Sequence, residues 1–171
     1  MVISFIIPPI RMHELITRYA LGCLIAWMVS SNAKKATIGF FLAMLRQANP
    51  TVIMSIMMTD FDWAQINMIM VHYPEAQIFL CWWHVLHAWQ QHITISHYPE
   101  LWKLLKQWVH ITDTTKFAKF WVDIEALAPA SFLKYLNTYW LTPKVKPMWS
   151  AQKRTHCTIF QLSDTNMLVK A

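Results

Sequence analysis

Residues 52–84 read VIMSIMMTDFDWAQINMIMVHYPEAQIFLCWWH, and the fold class is decided there. The apolar run from Val52 to Thr59 is closed by Asp60, which reads as a short buried strand. Asp62 and Gln65 have the spacing of a capping box, and Ile66, Ile69 and Met70 mark the buried side of a helix that ends near Tyr73 and Pro74. Residues 77–82 form a further short apolar run. Upstream, residues 21–29 are continuously apolar, with Ile25, Trp27 and Val29, and read as a strand. Ser31 and Asn32 offer an N-cap for the next helix, in which Ala36, Phe40, Phe41, Met44 and Leu45 recur at helical spacing until Asn49 and Pro50 stop it. Strand, helix, strand, helix, strand is the pattern of an α/β sheet.

Downstream the character changes. From His84 to Trp140, apolar residues recur every three or four positions, with breaks at Pro99, at Thr112 and Asp113, and at Pro129. Four consecutive helices are predicted, with Trp89, Trp102, Trp108, Trp121 and Trp140 as their packing core. The switch at residues 82–84 has no linker composition. Beyond Trp140 the signals thin out, although Asp164, Thr165 and Asn166 offer the cap of one more helix.

Composition agrees with this outline. The 171 residues hold 56% hydrophobic and 14% charged side chains, against roughly 25% charged in ordinary globular domains. Such a chain is too apolar to stay disordered. With only two glycines, Gly22 and Gly39, a collagen-like or turn-rich all-β chain is excluded. Three cysteines at wide spacing do not make a disulfide scaffold and fit a reducing compartment. No apolar run reaches the ~20 residues of a membrane span. The apolar N-terminus has no basic segment ahead of it, contains Pro8 and Pro9, and makes a poor signal peptide. Residues 1–100 carry five Lys/Arg and five Asp/Glu, whereas residues 101–171 carry ten and four, so the net charge of +6 belongs to the C-terminal part. That polarity suits an anionic partner such as nucleic acid, and equally suits solvated helix faces at Lys103/Lys106 and Lys116/Lys119.

Two places could hold chemistry. Asp60 stands where a strand ends and a helix begins, the edge at which α/β sheets collect ligands and metals. A carboxylate there can hold Mg²⁺ and phosphate oxygens, and the plain alternative is a turn residue beside an N-capping Asp62. Cys81 and His84 form a C-x-x-H pair with His87 one turn further on, short of the three or four ligands that zinc takes unless His156 and Cys157 approach. The alternative is a buried Cys81 and a hydrogen-bonded His84. His72, His92, His97 and His110 read as surface or boundary residues. With so little glycine there is no phosphate-binding loop, dinucleotide fingerprint or serine-esterase elbow.

The segment from Met58 through Asp60 to Asn67, then Tyr73, Pro74 and Glu75, then Leu80 through Cys81 and His84 to Trp89, resembles the transposase domain of Mutator-like elements (MULE), especially its fungal branch. Residues 26–32, 147–150 and 164–169 support the resemblance, which covers roughly residues 19–171. It implies an RNase H-like fold with an all-helical insertion before the last helix. The corresponding division is an atypical segment at 1–18, an RNase H-like partial core at 19–83, a helical insertion at 84–140, and a C-terminal segment at 141–171 leading into the final helix. Such enzymes cut and join DNA with two divalent metals, Mg²⁺ or Mn²⁺, held by Asp, Asp and Glu. Asp60 matches the second acid, and Cys81 and His84 match a C-x-x-H pair typical of the family. A nuclear location, DNA, a second copy or a full-length transposase as partners, and no membrane association are implied with it.

The departures set the expected activity. Residues 1–17 contain no Asp, with Glu14 the only acid, and Lys170 stands at the position of the third acid after Thr165 and Asn166. A lysine places positive charge where a metal ligand is needed. The expectation is a truncated copy without strand-transfer activity. The rival expectation is a helical interaction module over residues 84–140 that binds a partner protein or a longer copy.

Overall fold

The computed structural model describes the backbone of residues 2–7 and 23–29, and residues 34–51 and 53–155 in full. The expected caps at Ser31, Asn32 and Asp164, together with His156, Cys157, Thr165, Asn166 and Lys170, lie outside the described residues. The chain is a mixed, helix-rich α/β protein that divides into two compact units between Cys81 and Trp82.

In the first unit, β1 (Val2–Ile7) pairs antiparallel with β2 (Cys23–Val29), with an irregularity between Phe5 and Ile6. β1 is not among the strands expected from the sequence, although its apolar run before Pro8 is of the kind that marks the others. Next comes α1 (Lys35–Ala48), then β3 (Ile56–Thr59), α2 (Trp63–His72) and β4 (Gln77–Leu80). β1 lies alongside β3. β3 and β4 are parallel in the register Ile56↔Gln77 to Thr59↔Leu80, and α2 is the crossover such a pair requires. The ladder extends by one bond at each end: the Gln77 N–H donates to Ser55 O at 2.8 Å and the Cys81 N–H to Thr59 O at 3.0 Å.

The two helices of this unit run the same way, with Gly39 against Met68, the Tyr73 hydroxyl donating to Leu42 O, and Arg46 against Glu75. A Cβ at position 39 would come within 2.9 Å of Met68 Sδ, so glycine permits the close approach. Arg46 clasps the ends of both helices: its guanidinium donates to His72 O, pairs with Glu75 at 3.4 Å and lies 5.2 Å from the Tyr73 ring centroid. Ile38, Leu42, Ile66, Ile69 and Phe79 are fully buried. Met70, expected on the buried side of α2, is instead 47% exposed, and Phe40 on α1 is 68% exposed. Four-residue strands offer too little width to cover every apolar position of the helices beside them.

Every regular element among the described residues of the second unit is a helix. It contains α3 (Trp82–Gln90), α4 (Pro99–Trp108), α5 (Thr114–Leu127) and α6 (Ala130–Tyr135), which runs on as a π-helical turn over Leu136–Trp140. A short α7 (Lys146–Trp149) and a 3₁₀ turn (Ala151–Lys153) follow. Pro99 opens α4 at a position where its missing N–H costs nothing, and the Asp113 carboxylate caps α5 by accepting from the Lys116 N–H at 2.7 Å. Trp82 and Trp83, read as the end of a strand or a switch region, start α3 instead. Trp89, Trp108, Trp140 and Trp149 have no exposed surface and pack with ring centroids 5.0–5.9 Å apart. Trp102 and Trp121, expected in this core, are only half-buried, and Trp149 takes part in it without having been foreseen.

Three of the indole N–H groups end on main-chain carbonyls. Trp82 donates to Trp149 O, Trp149 to Trp140 O at 2.8 Å, and Trp108 to Phe117 O at 3.1 Å, so main-chain carbonyls satisfy buried donors. Arg154 is buried too. Its guanidinium lies 4.3 Å from the Trp82 ring centroid and donates to Met148 O at 3.1 Å.

Candidate functional site

Asp60 is the first residue after β3, at the C-terminal end of the parallel pair. Two consecutive strand ends, Thr59 and Leu80, flank this edge, and α2 starts three residues beyond Asp60. The chain turns tightly here because the Asp62 N–H donates back to Asp60 O at 2.8 Å, a bond across two residues. Asp60 is half-buried, with its Oδ1 shielded from solvent.

The residues around it form a polar network. Asp62 Oδ1 accepts from the Ala64 N–H at 2.8 Å, which caps α2. Gln65 does not reach back to the Asp62 main chain as a capping box would have it. Its Nε2 approaches Asp62 Oδ2 at 3.4 Å, and its Oε1 accepts the Thr59 hydroxyl at 2.7 Å. The reason is local competition: Thr59 is buried at the strand end and its O–H must find an acceptor, while the Asp62 N–H is already engaged with Asp60 O. Thr59 and Gln65 are therefore part of the site, and the only sequence signal for them was the Asp62/Gln65 spacing.

Asp62 is thus occupied in capping α2, and Asp60 is the second carboxylate at this edge. Among the described residues no three His, Cys, Asp or Glu side chains gather as a metal-holding group.

Cys81 is fully buried where β4 ends, its N–H in the ladder to Thr59 O, and it is a free thiol. His84 lies in the first turn of α3, half-buried, with its ring edge-on to Trp83 at 4.7 Å. The His87 ring stacks on Trp83 at 5.0 Å, on the exposed side of the same helix. Cys81 thus belongs to the first unit, and His84 and His87 to the second. His92, His97 and His110 are exposed and His72 is half-buried.

The second unit carries the positive charge. Lys103, Lys106, Lys116, Lys119, Lys134, Lys144 and Lys153 are exposed, and Lys146 lies 4.7 Å from the Phe117 ring centroid. Lys103 makes a loose pair with Glu100 at 3.9 Å, both ends open to water, which is worth little. Burial is the main cause that raises two tyrosines, Tyr73 in the first unit and Tyr135 in the second, above their ordinary pKa. Among the described residues no helix is long and apolar enough to cross a membrane. No family model matches the chain, and no curated protein matches it.

Proposed function

We propose that the chain is an RNase H-like partial core with a helical insertion, of the Mutator-like transposase kind, in which Asp60 is the one retained catalytic acid and DNA strand transfer is lost. The observation that carries this reading is the position of Asp60: directly after the first strand of a parallel strand–helix–strand unit, at the edge where strand-end carboxylates meet phosphate and metal. The order of elements supports it, since an α/β unit gives way to helices just after β4. DNA as partner and a nuclear site of action belong to the same reading.

Loss of activity follows from ligand number. One carboxylate holds Mg²⁺ weakly, because the ion keeps its waters unless several ligands fix the geometry. β1 brings no acid to the sheet, and Lys170 offers an ammonium where the third acid belongs. Purified chain incubated with duplex DNA and Mg²⁺ or Mn²⁺ is expected to give no nicked or joined product. Cleavage that disappears in Asp60→Ala would overturn the proposal.

A second reading, a helical module that binds protein, is favoured by the self-contained indole core of the second unit. Salt decides between the two. Binding to DNA through the exposed lysines falls steeply as salt rises, while association through an apolar face does not.

A further inference from the structure

The outer face of α5 is built unlike a solvated helix face. Phe117 and Ile124 point into the core, and on the opposite side Thr115, Ala118, Val122 and Ala126 line up at helical spacing, all exposed. Val122 is 62% exposed and Leu127, at the end of the same helix, 46%. The charges beside this stripe are segregated along the axis. Lys116 and Lys119 lie in the first half, Asp123 and Glu125 in the second, all four exposed, and no ion pair joins any of them to another described residue.

We propose that this face pairs with the same face of a second copy, α5 against α5 in antiparallel orientation. A two-fold axis close to residues 120–121 brings Val122 over Ala118 of the other copy and Thr115 over Ala126. Lys119 of each copy then meets Asp123 of the other, twice by symmetry. The parallel alternative sets basic half on basic half and aligns the helix dipoles, so charge selects the antiparallel arrangement. The small side chains let the helices approach closely, and the lone Val122 supplies the apolar centre. At 14 residues the helix is about 21 Å long, so the interface is at the low end of size and the dimer dissociates in the micromolar range or above. This pairing rests on the fold of the second unit and not on the transposase reading.

Sedimentation equilibrium of the full chain, without DNA or metal, tests it. The expected result is a monomer–dimer equilibrium that Val122→Glu abolishes and that Lys119→Asp or Asp123→Lys each weakens by about tenfold. The double exchange Lys119→Asp with Asp123→Lys restores it, because the pairs are rebuilt with signs reversed. Helical circular dichroism unchanged from the parent shows that each variant is folded, as is expected for substitutions at exposed positions. A chain that stays monomeric up to about 500 µM would sink the proposal, as would a dimer indifferent to Val122→Glu or a double exchange that fails to restore pairing.

Discussion

The two units hold themselves together by different means. The first buries aliphatic and methionine side chains, Ile38, Leu42, Met57, Ile66 and Ile69, between thin strands and two helices. Its interior is held mainly by buried area, with the Tyr73 and Thr59 hydroxyls as side-chain donors at its margins. The second buries four tryptophans whose rings meet edge-on or tilted and whose N–H groups, in two of the four, end on named carbonyls. An aliphatic core tolerates exchange of shapes, whereas an indole with a bonded N–H accepts one orientation.

The largest effect is expected where ring packing and hydrogen bonding coincide. Trp108→Ala removes contacts with Trp89, Phe117, Trp121 and Trp149 and the indole hydrogen bond to Phe117 O. A loss of about 3–5 kcal/mol is expected, read as a lowered urea midpoint with faster amide exchange in α4 and α5. If area dominates around Ile69, Ile69→Ala should cost about 2–4 kcal/mol, while Ile69→Leu, which keeps volume, costs less than about 1.5 kcal/mol. Equal losses for the alanine and leucine variants would show that this core is as shape-specific as the other.

A smaller effect is expected at the candidate site. Asp62→Ala removes the cap of α2 and the Gln65 contact, for about 1 kcal/mol, and Asp62→Asn recovers most of it. The smallest is a pH effect. Tyr73 has a pKa raised above the ordinary 10.0, chiefly by burial, with Arg46 opposing and Glu75 adding to the rise. The unfolded chain therefore gives up this proton before the fold does. The stabilisation is complete below the unfolded value and is lost as pH climbs through the raised folded one. Urea midpoints compared at about pH 9 and about pH 11 should fall less in Tyr73→Phe than in the parent chain.

Much of the fold was legible because the signals were strong and local. Pro99, Asp113 and Pro129 mark the starts of α4, α5 and α6, and the Asp62 cap marks that of α2. What was not legible depended on three dimensions. Met70 sits one position along from the buried Ile69, and apolar character alone does not say how wide a face the strands can cover. Trp149 lies in a segment with two prolines nearby and no helical period, so nothing local announced that it completes the indole cluster. At the site, strand-end position and cap spacing singled out Asp60 and Asp62. The diversion of Gln65 to Thr59 was hidden, since it depends on which donor is already engaged when the strand ends.

The unequal sharing of side chains gives each unit its own built-in reporter. Eight of the ten tryptophans, from Trp82 to Trp149, belong to the second unit, so intrinsic fluorescence and the near-ultraviolet dichroism of coupled indoles follow that unit almost alone. Methionines are divided the other way. Met44, Met54, Met57, Met58, Met68 and Met70 lie in the first unit and only Met148 among the described residues of the second. Methyl resonances from labelled methionine therefore watch the strands and the Asp60 edge while the indoles watch the helices, and one unlabelled and one labelled sample separate their unfolding without any substitution.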